Sequence, residues 1–132
     1  MKLNIPTSKG NYSYRFVPIY PGIKPINKER AKENLSLLKR ICNTHNLEFI
    51  LFFGTLLGAV REHDFISHDE DIDIVLPITD LERFKDILFI LRENGFEVVR
   101  FERRGFMSIM RKGEYIDIYF FTPYAKDRRL AT

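Results

Sequence analysis

Four carboxylates, Asp69, Glu70, Asp71 and Asp73, fall within five consecutive positions. Ionised acids this close repel one another, which raises some of their pKa values and disfavours a folded strand end unless a cation compensates. Asp71 and Asp73 stand at i and i+2 in Asp71-Ile72-Asp73-Ile74-Val75-Leu76, where acid alternates with aliphatic before Pro77. On a strand this spacing sends both side chains to one face, roughly 6–7 Å apart along the backbone, so they can converge on one or two divalent ions. Taken alone, a solvated strand face accounts for the same letters.

Two further features give the acid pair a context. Gly54-Thr55 stands where a short apolar run, Glu48 to Phe53, meets the helix-like Leu56, Leu57 and Val60. A turn there would aim free backbone N–H groups and the positive end of the helix dipole at an anion such as phosphate. Asp117 stands within Tyr115-Ile116-Asp117-Ile118-Tyr119, an otherwise apolar strand in which a carboxylate is costly unless it serves a site. A phosphate cradle, paired acids and a third acid are the parts of metal-assisted phosphoryl or nucleotidyl transfer. Arg61 can reach a substrate phosphate or pair with Glu62 or Asp64. His68 can act as an acid, a base or a stacking platform, or be a plain loop histidine. Gly58 suits close helix packing.

Competing site types fit less well. An EF-hand loop starting at Asp69 needs glycine where Ile74 stands and glutamate where Asp80 stands. A P-loop needs Gly-Lys-Ser/Thr, which Gly54 to Arg61 lacks. A zinc site at His63 and His68 has no nearby cysteine and no third ligand besides the acids.

These residues need elements to hold them. Residues 1–24 mix glycine, proline and tyrosine without helical period and read as an extended arm whose aromatics pack on a core domain of residues 25–132. Asn27 should cap a helix with Ala31, Leu35, Leu38, Ile41 and Cys42 on its buried face. Glu48 to Phe53 reads as a buried strand, residues 62–70 as a loop, and 71–76 as a strand. Thr79-Asp80-Leu81-Glu82 is a capping box opening a helix with Leu81, Phe84, Leu88 and Leu91 buried and Gly95 past its end. Phe96 to Phe101, Phe106 to Met110 and Tyr115 to Phe121 read as strands, the last two joined by a turn at Arg111-Lys112-Gly113-Glu114. The order implies an α/β or α+β domain around a small mixed sheet.

At 132 residues with 45% hydrophobic side chains, one core is the capacity of the chain, and 14% aromatic content argues against disorder. The net charge of +3 is weak evidence for a nucleic-acid partner. Arg100, Arg103, Arg104, Arg111 and Lys112 could form a basic surface for RNA or an anionic glycan, although such runs are usually solvated faces. The single cysteine, Cys42, cannot form an internal disulfide. No apolar run approaches the roughly 18 residues of a membrane span and no signal-peptide layout is present, so the expectation is a soluble, cytoplasmic protein.

Gly54-Thr55-Leu56-Leu57-Gly58-Ala59-Val60-Arg61, then Phe65-Ile66, then Asp69-Glu70-Asp71-Ile72-Asp73-Ile74, resembles the LicD/fukutin family of the nucleotidyltransferase-fold superfamily. The likeness is strong over residues 48–76, and the later strand carrying Asp117 agrees in arrangement. Many bacterial members have Pro-Trp where this chain has Ser67-His68, while fukutin-like members can carry histidine there. The resemblance implies an enzyme of minimal nucleotidyltransferase fold. Such an enzyme uses Mg²⁺ or Mn²⁺ to move phosphocholine from CDP-choline, or a related phosphosugar, onto a glycan hydroxyl. It implies Asp71, Asp73 and Asp117 as metal ligands and catalytic carboxylates, and Gly54 and Thr55 as the phosphate-contacting turn. Transfer of a nucleoside monophosphate to a protein, small molecule or RNA is the alternative within the fold, and a non-catalytic nucleotide-binding module is the alternative outside enzymology. Family members usually continue well past the third carboxylate, so the acceptor side is expected to be the less complete half.

Overall fold

Alternation around Asp73 does produce a strand. A computed structural model describes residues 2–18, 27–51, 72–123 and 130–131, and in it Ile72–Pro77 forms a strand, β4, of an α+β domain. Before it come β1 (Lys2–Thr7), β2 (Gly10–Arg15), α1 (Lys28–Thr44) and β3 (Ile50–Leu51). After it come a 3₁₀ turn (Ile78–Asp80), α2 (Leu81–Asp86), α3 (Leu88–Glu93), β5 (Glu97–Glu102), β6 (Phe106–Arg111), β7 (Glu114–Pro123) and β8 (Leu130–Ala131). The main sheet runs β3-β4-β7-β6-β5, with β8 on the far end of β7. β4 and β7 are parallel and every other pair is antiparallel.

The core lies on one face of this sheet. Ile72, Ile74 and Leu76 of β4, Ile116 and Ile118 of β7, and Met107 and Ile109 of β6 meet Ala31, Leu38 and Cys42 of α1 and Phe84, Leu88 and Leu91 of α2 and α3 in a single cluster. α1 starts where the sequence predicts: the Asn27 side chain accepts from Arg30 N at 3.0 Å, which satisfies one orphan helix donor. Its buried Asn34 donates to Arg111 O at 2.8 Å and accepts from Arg111 Nη1 at 3.0 Å, tying the helix to the β6–β7 turn. That turn has positive φ at Lys112 (55°) and Gly113 (80°), the two-residue geometry whose twist suits a hairpin.

Four elements differ from their sequence readings. The arm is a hairpin, β1 with β2, because Thr7 Oγ1 accepts from Lys9 N and donates to Gly10 O while Gly10 takes φ 122°. Its Ile5, Tyr12 and Tyr14 enter the core cluster, whereas Phe16 stays half exposed. The expected buried strand at 48–53 is, within the described residues, the two-residue edge strand β3, with Ile50 59% exposed because only β4 pairs with it. The capping box is not made: no side-chain cap bond forms at Asp80, whose carboxylate instead accepts from Arg83 at 3.3 Å. The helix it was to open is divided at Ile87, where Ile87 N reaches back only to Phe84 O and the tightened turn lets Ile87, Leu88 and Leu91 all become buried. β8 has no counterpart among the predicted strands.

The hairpin docks on the β5 edge. Val99 is an extra residue between the pairs Val98↔Ile109 and Arg100↔Ser108, and its carbonyl accepts from Val17 N at 2.9 Å. Arg92 lies over the Tyr12 ring at 3.9 Å, bonds Glu97 and donates to Ser13 O. The sheet edge is thereby covered rather than left open to other strands.

Two predictions arise from this packing. Gly105 has φ 119°, and a Cβ there would stand 2.8 Å from Phe120 O, while Phe120 N donates to Gly105 O at 2.7 Å. Gly105→Ala therefore pays for both a strained φ and a backbone displacement, and urea unfolding should show a loss of about 2 kcal/mol. Burial pushes the Cys42 thiol from 9.0 up to about 12, and chiefly burial pushes the Tyr12 phenol from 10.0 up to about 12. Above pH 9 the unfolded chain sheds these protons first, so the folded state binds more protons and stability falls as pH rises toward 12. The urea midpoint should be lower at pH 10.5 than at pH 8, and native Cys42 should resist alkylation until the protein unfolds.

Candidate functional site

The parallel joint of the sheet places two of the expected acids together. Ile72 to Pro77 of β4 run in register with Ile116 to Phe121 of β7, and Asp73 stands directly opposite Asp117. Neighbouring strands lie about 4.8 Å apart and opposed residues point to the same face, so the two carboxylates emerge side by side. They do so on the face turned away from the core cluster, because Ile72, Ile74, Ile116 and Ile118 on either side of them fill that cluster.

The row continues across the sheet. Ser108 of β6 pairs with Asp117, and Arg100 of β5 pairs with Ser108. A line of Asp73, Asp117, Ser108 and Arg100 therefore crosses four strands at one level. Ser108 is fully buried, Asp117 is 8% exposed and Asp73 is half-buried. A carboxylate this sheltered needs strong partners. Ser108 Oγ–H donates to Asp117 Oδ1 at 2.6 Å, a charge-assisted bond within the buried row. At the other end the Arg100 guanidinium pairs with Glu102 at 2.9 Å and lies 5.1 Å from the centre of the Phe106 ring.

Of the residues singled out by sequence, Asp73 and Asp117 are thus adjacent. Asp71, Gly54, Thr55, Arg61 and His68 lie outside the described residues. Among the described residues no three metal-ligating side chains cluster. The donor set of the pair, two hard carboxylate groups at one register, suits Mg²⁺ or Mn²⁺ and does not suit a soft cation. Ser108 was missed by sequence reasoning. Its signal was available, since it is the one hydroxyl in the apolar Phe106 to Met110 run, the same argument that singled out Asp117.

The basic run is not one surface. Arg111 and Lys112 both bond Glu33 at 2.8 Å, and these two cations hold its carboxyl down at about 2. Arg100 and Arg104 both pair with Glu102. Each group of cations has its own acid, as solvated faces usually do. No described helix is long and apolar enough to cross a membrane.

Fold and site together define an α+β domain whose acids are paired across the parallel joint of a mixed sheet. Residues 46–130 match the family model for the LicD/FKTN/FKRP nucleotidyltransferase domain, and the chain belongs to that family. Over 55 residues it is 34% identical to the lipopolysaccharide cholinephosphotransferase LicD of Haemophilus influenzae, a match covering 42% of this chain and 21% of that protein. Over 93 residues it is 29% identical to an uncharacterized protein of Rickettsia typhi, covering 66% of this chain and 30% of that one. The chain therefore spans less than a third of the length of either relative.

Proposed function

We propose that this chain forms the donor-binding part of a LicD-type transferase that moves a phosphocholine-like or sugar-phosphate group from a nucleotide-activated donor to a glycan hydroxyl. The observation that carries the reading is the register of Asp73 with Asp117 on the parallel strands. Family membership supports it, as does the cholinephosphotransferase among the relatives.

Asp73 and Asp117, with Asp71, would hold Mg²⁺ or Mn²⁺, which when bound neutralises donor phosphate charge and favours an ionised acceptor hydroxyl. The remaining work falls to the chain. In this reading Gly54, Thr55 and Arg61 bind the donor phosphates, and His68 serves the nucleotide as an acid, a base or a stacking platform for its base. One carboxylate takes the acceptor's proton as the hydroxyl oxygen bonds to the transferred phosphorus. The bond from that phosphorus to the nucleotide's bridging oxygen breaks, and with CDP-choline the leaving group is CMP.

Thermal-shift titration with Mg²⁺ or Mn²⁺ plus CDP-choline, CDP-ribitol, CTP, UTP or ATP tests the proposal. Metal-dependent stabilisation by a CDP-linked donor is the expected result. Preference for CTP, UTP or ATP with pyrophosphate release would instead favour nucleoside monophosphate transfer. Donor binding without turnover on any glycan acceptor would favour a non-catalytic module, and no response to any nucleotide would remove the proposal's basis.

A further inference from the structure

Ser108 is fully buried, opposes Asp117 in the sheet, and spends its hydroxyl hydrogen on Asp117 Oδ1 at 2.6 Å. Its neighbours Met107 and Ile109 fill the core cluster on the opposite face, so the serine alone breaks the apolar run of β6. Packing does not require a hydroxyl at that position. Alanine would also fit a buried strand site, without a polar group to satisfy.

We infer that Ser108 is a positioning residue for the metal-binding pair, fixing the Asp117 carboxylate in one rotamer at its place beside Asp73 in the sheet. The inference rests on the reading of Asp73 and Asp117 as metal ligands. An aspartate side chain rotates about two bonds, and a charge-assisted bond to one oxygen from a neighbour held by the β6–β7 ladder removes most of that freedom. Because the donor sits on a different strand, rotation of Asp117 would break the bond while Ser108 stayed in place. Partners that orient ligands in this way typically change metal affinity by about 10–100-fold when removed.

The test is titration of the 132-residue chain with Mn²⁺ alone, reading free metal by electron paramagnetic resonance and unfolding by thermal melt without metal. Ser108→Ala should weaken Mn²⁺ binding by about 10-fold or more. Ser108→Thr, which keeps a hydroxyl, should stay within about three-fold of the wild-type affinity, and Ser108→Cys, which keeps the side-chain shape with a slightly larger atom that donates weakly, should resemble alanine. A purely structural serine would lower the metal-free melting temperature and leave the Mn²⁺ affinity alone, and that result would overturn the inference. Should Ser108→Ala fail to fold, the cysteine and threonine variants decide: equal affinities would overturn it. Asp73→Asn and Asp117→Asn serve as the reference. If they leave Mn²⁺ binding intact, or the wild type binds none, the metal reading itself falls. If they abolish binding and Ser108→Ala does not weaken it, the positioning role fails alone.

Discussion

Asp117→Asn is expected to abolish Mn²⁺-dependent stabilisation by CDP-choline and to lower transfer by on the order of 10³-fold, with the far-UV circular dichroism unchanged. The substitution conserves shape and keeps an oxygen that can accept from Ser108, so it removes charge rather than the buried hydrogen bond. Loss of charge at Asp117 leaves one carboxylate where the register places two side by side. Asp73→Asn should have a similar effect. The double variant should be little worse than either single one, because the two act as one unit. Calorimetric titration of all three variants checks this. Wild-type donor affinity in Asp117→Asn, or additive losses in the double variant, would show that the pair is not the site.

How much of this was visible in the letters differs from element to element. The Asn27 cap, the buried face of α1 and the Lys112-Gly113 turn depend on neighbours within four positions and form as expected, except that Leu35 is only partly buried and Asn34 takes a buried place on the helix. The hairpin of β1 and β2 was obscured because its turn carries Ser8-Lys9 and β1 contains Pro6, which breaks strand patterning even though a two-stranded ribbon tolerates it. The division at Ile87 follows from the demand to bury Ile87 beside Leu88, a tertiary requirement that a helical stripe does not express. The site shows the same contrast. Composition made Asp73 and Asp117 conspicuous, but their adjacency comes from the strand order. Strand order is a property of the whole sheet, and single-strand periodicity does not encode it.

The largest loss of stability is expected from Phe84→Ala. Phe84 is fully buried and meets Phe120 edge to face, with ring centres 5.6 Å apart and planes at 70°. Through this ring contact α2 packs against β7, the strand that carries Asp117. Deleting a buried phenyl ring costs about 3–5 kcal/mol through lost transfer energy and the cavity left behind. Against a typical total of about 5–15 kcal/mol, that is a large share. The melting temperature should fall by on the order of 10–20 °C, and the urea midpoint should drop with little change in slope. A loss below about 1 kcal/mol would mean that α2 is not a structural support of the sheet. Metal affinity measured well below the melting range should change far less than in Asp117→Asn, which separates support of the fold from chemistry of the site.

The parallel pairing of β4 with β7 also has a consequence in time. β5, β6 and β7 join through neighbouring hairpins, whereas Asp73 and Asp117 stand 44 residues apart in the chain and meet only when the β4–β7 joint closes. Loop-closure entropy makes such a joint slow compared with local hairpins. A chain with its hairpins formed but this joint open would hold one acid on each of two separate pieces. Acquisition of Mn²⁺ during refolding should therefore coincide with the slowest sheet-forming phase, making the paired acids a chemical clock for completion of the fold.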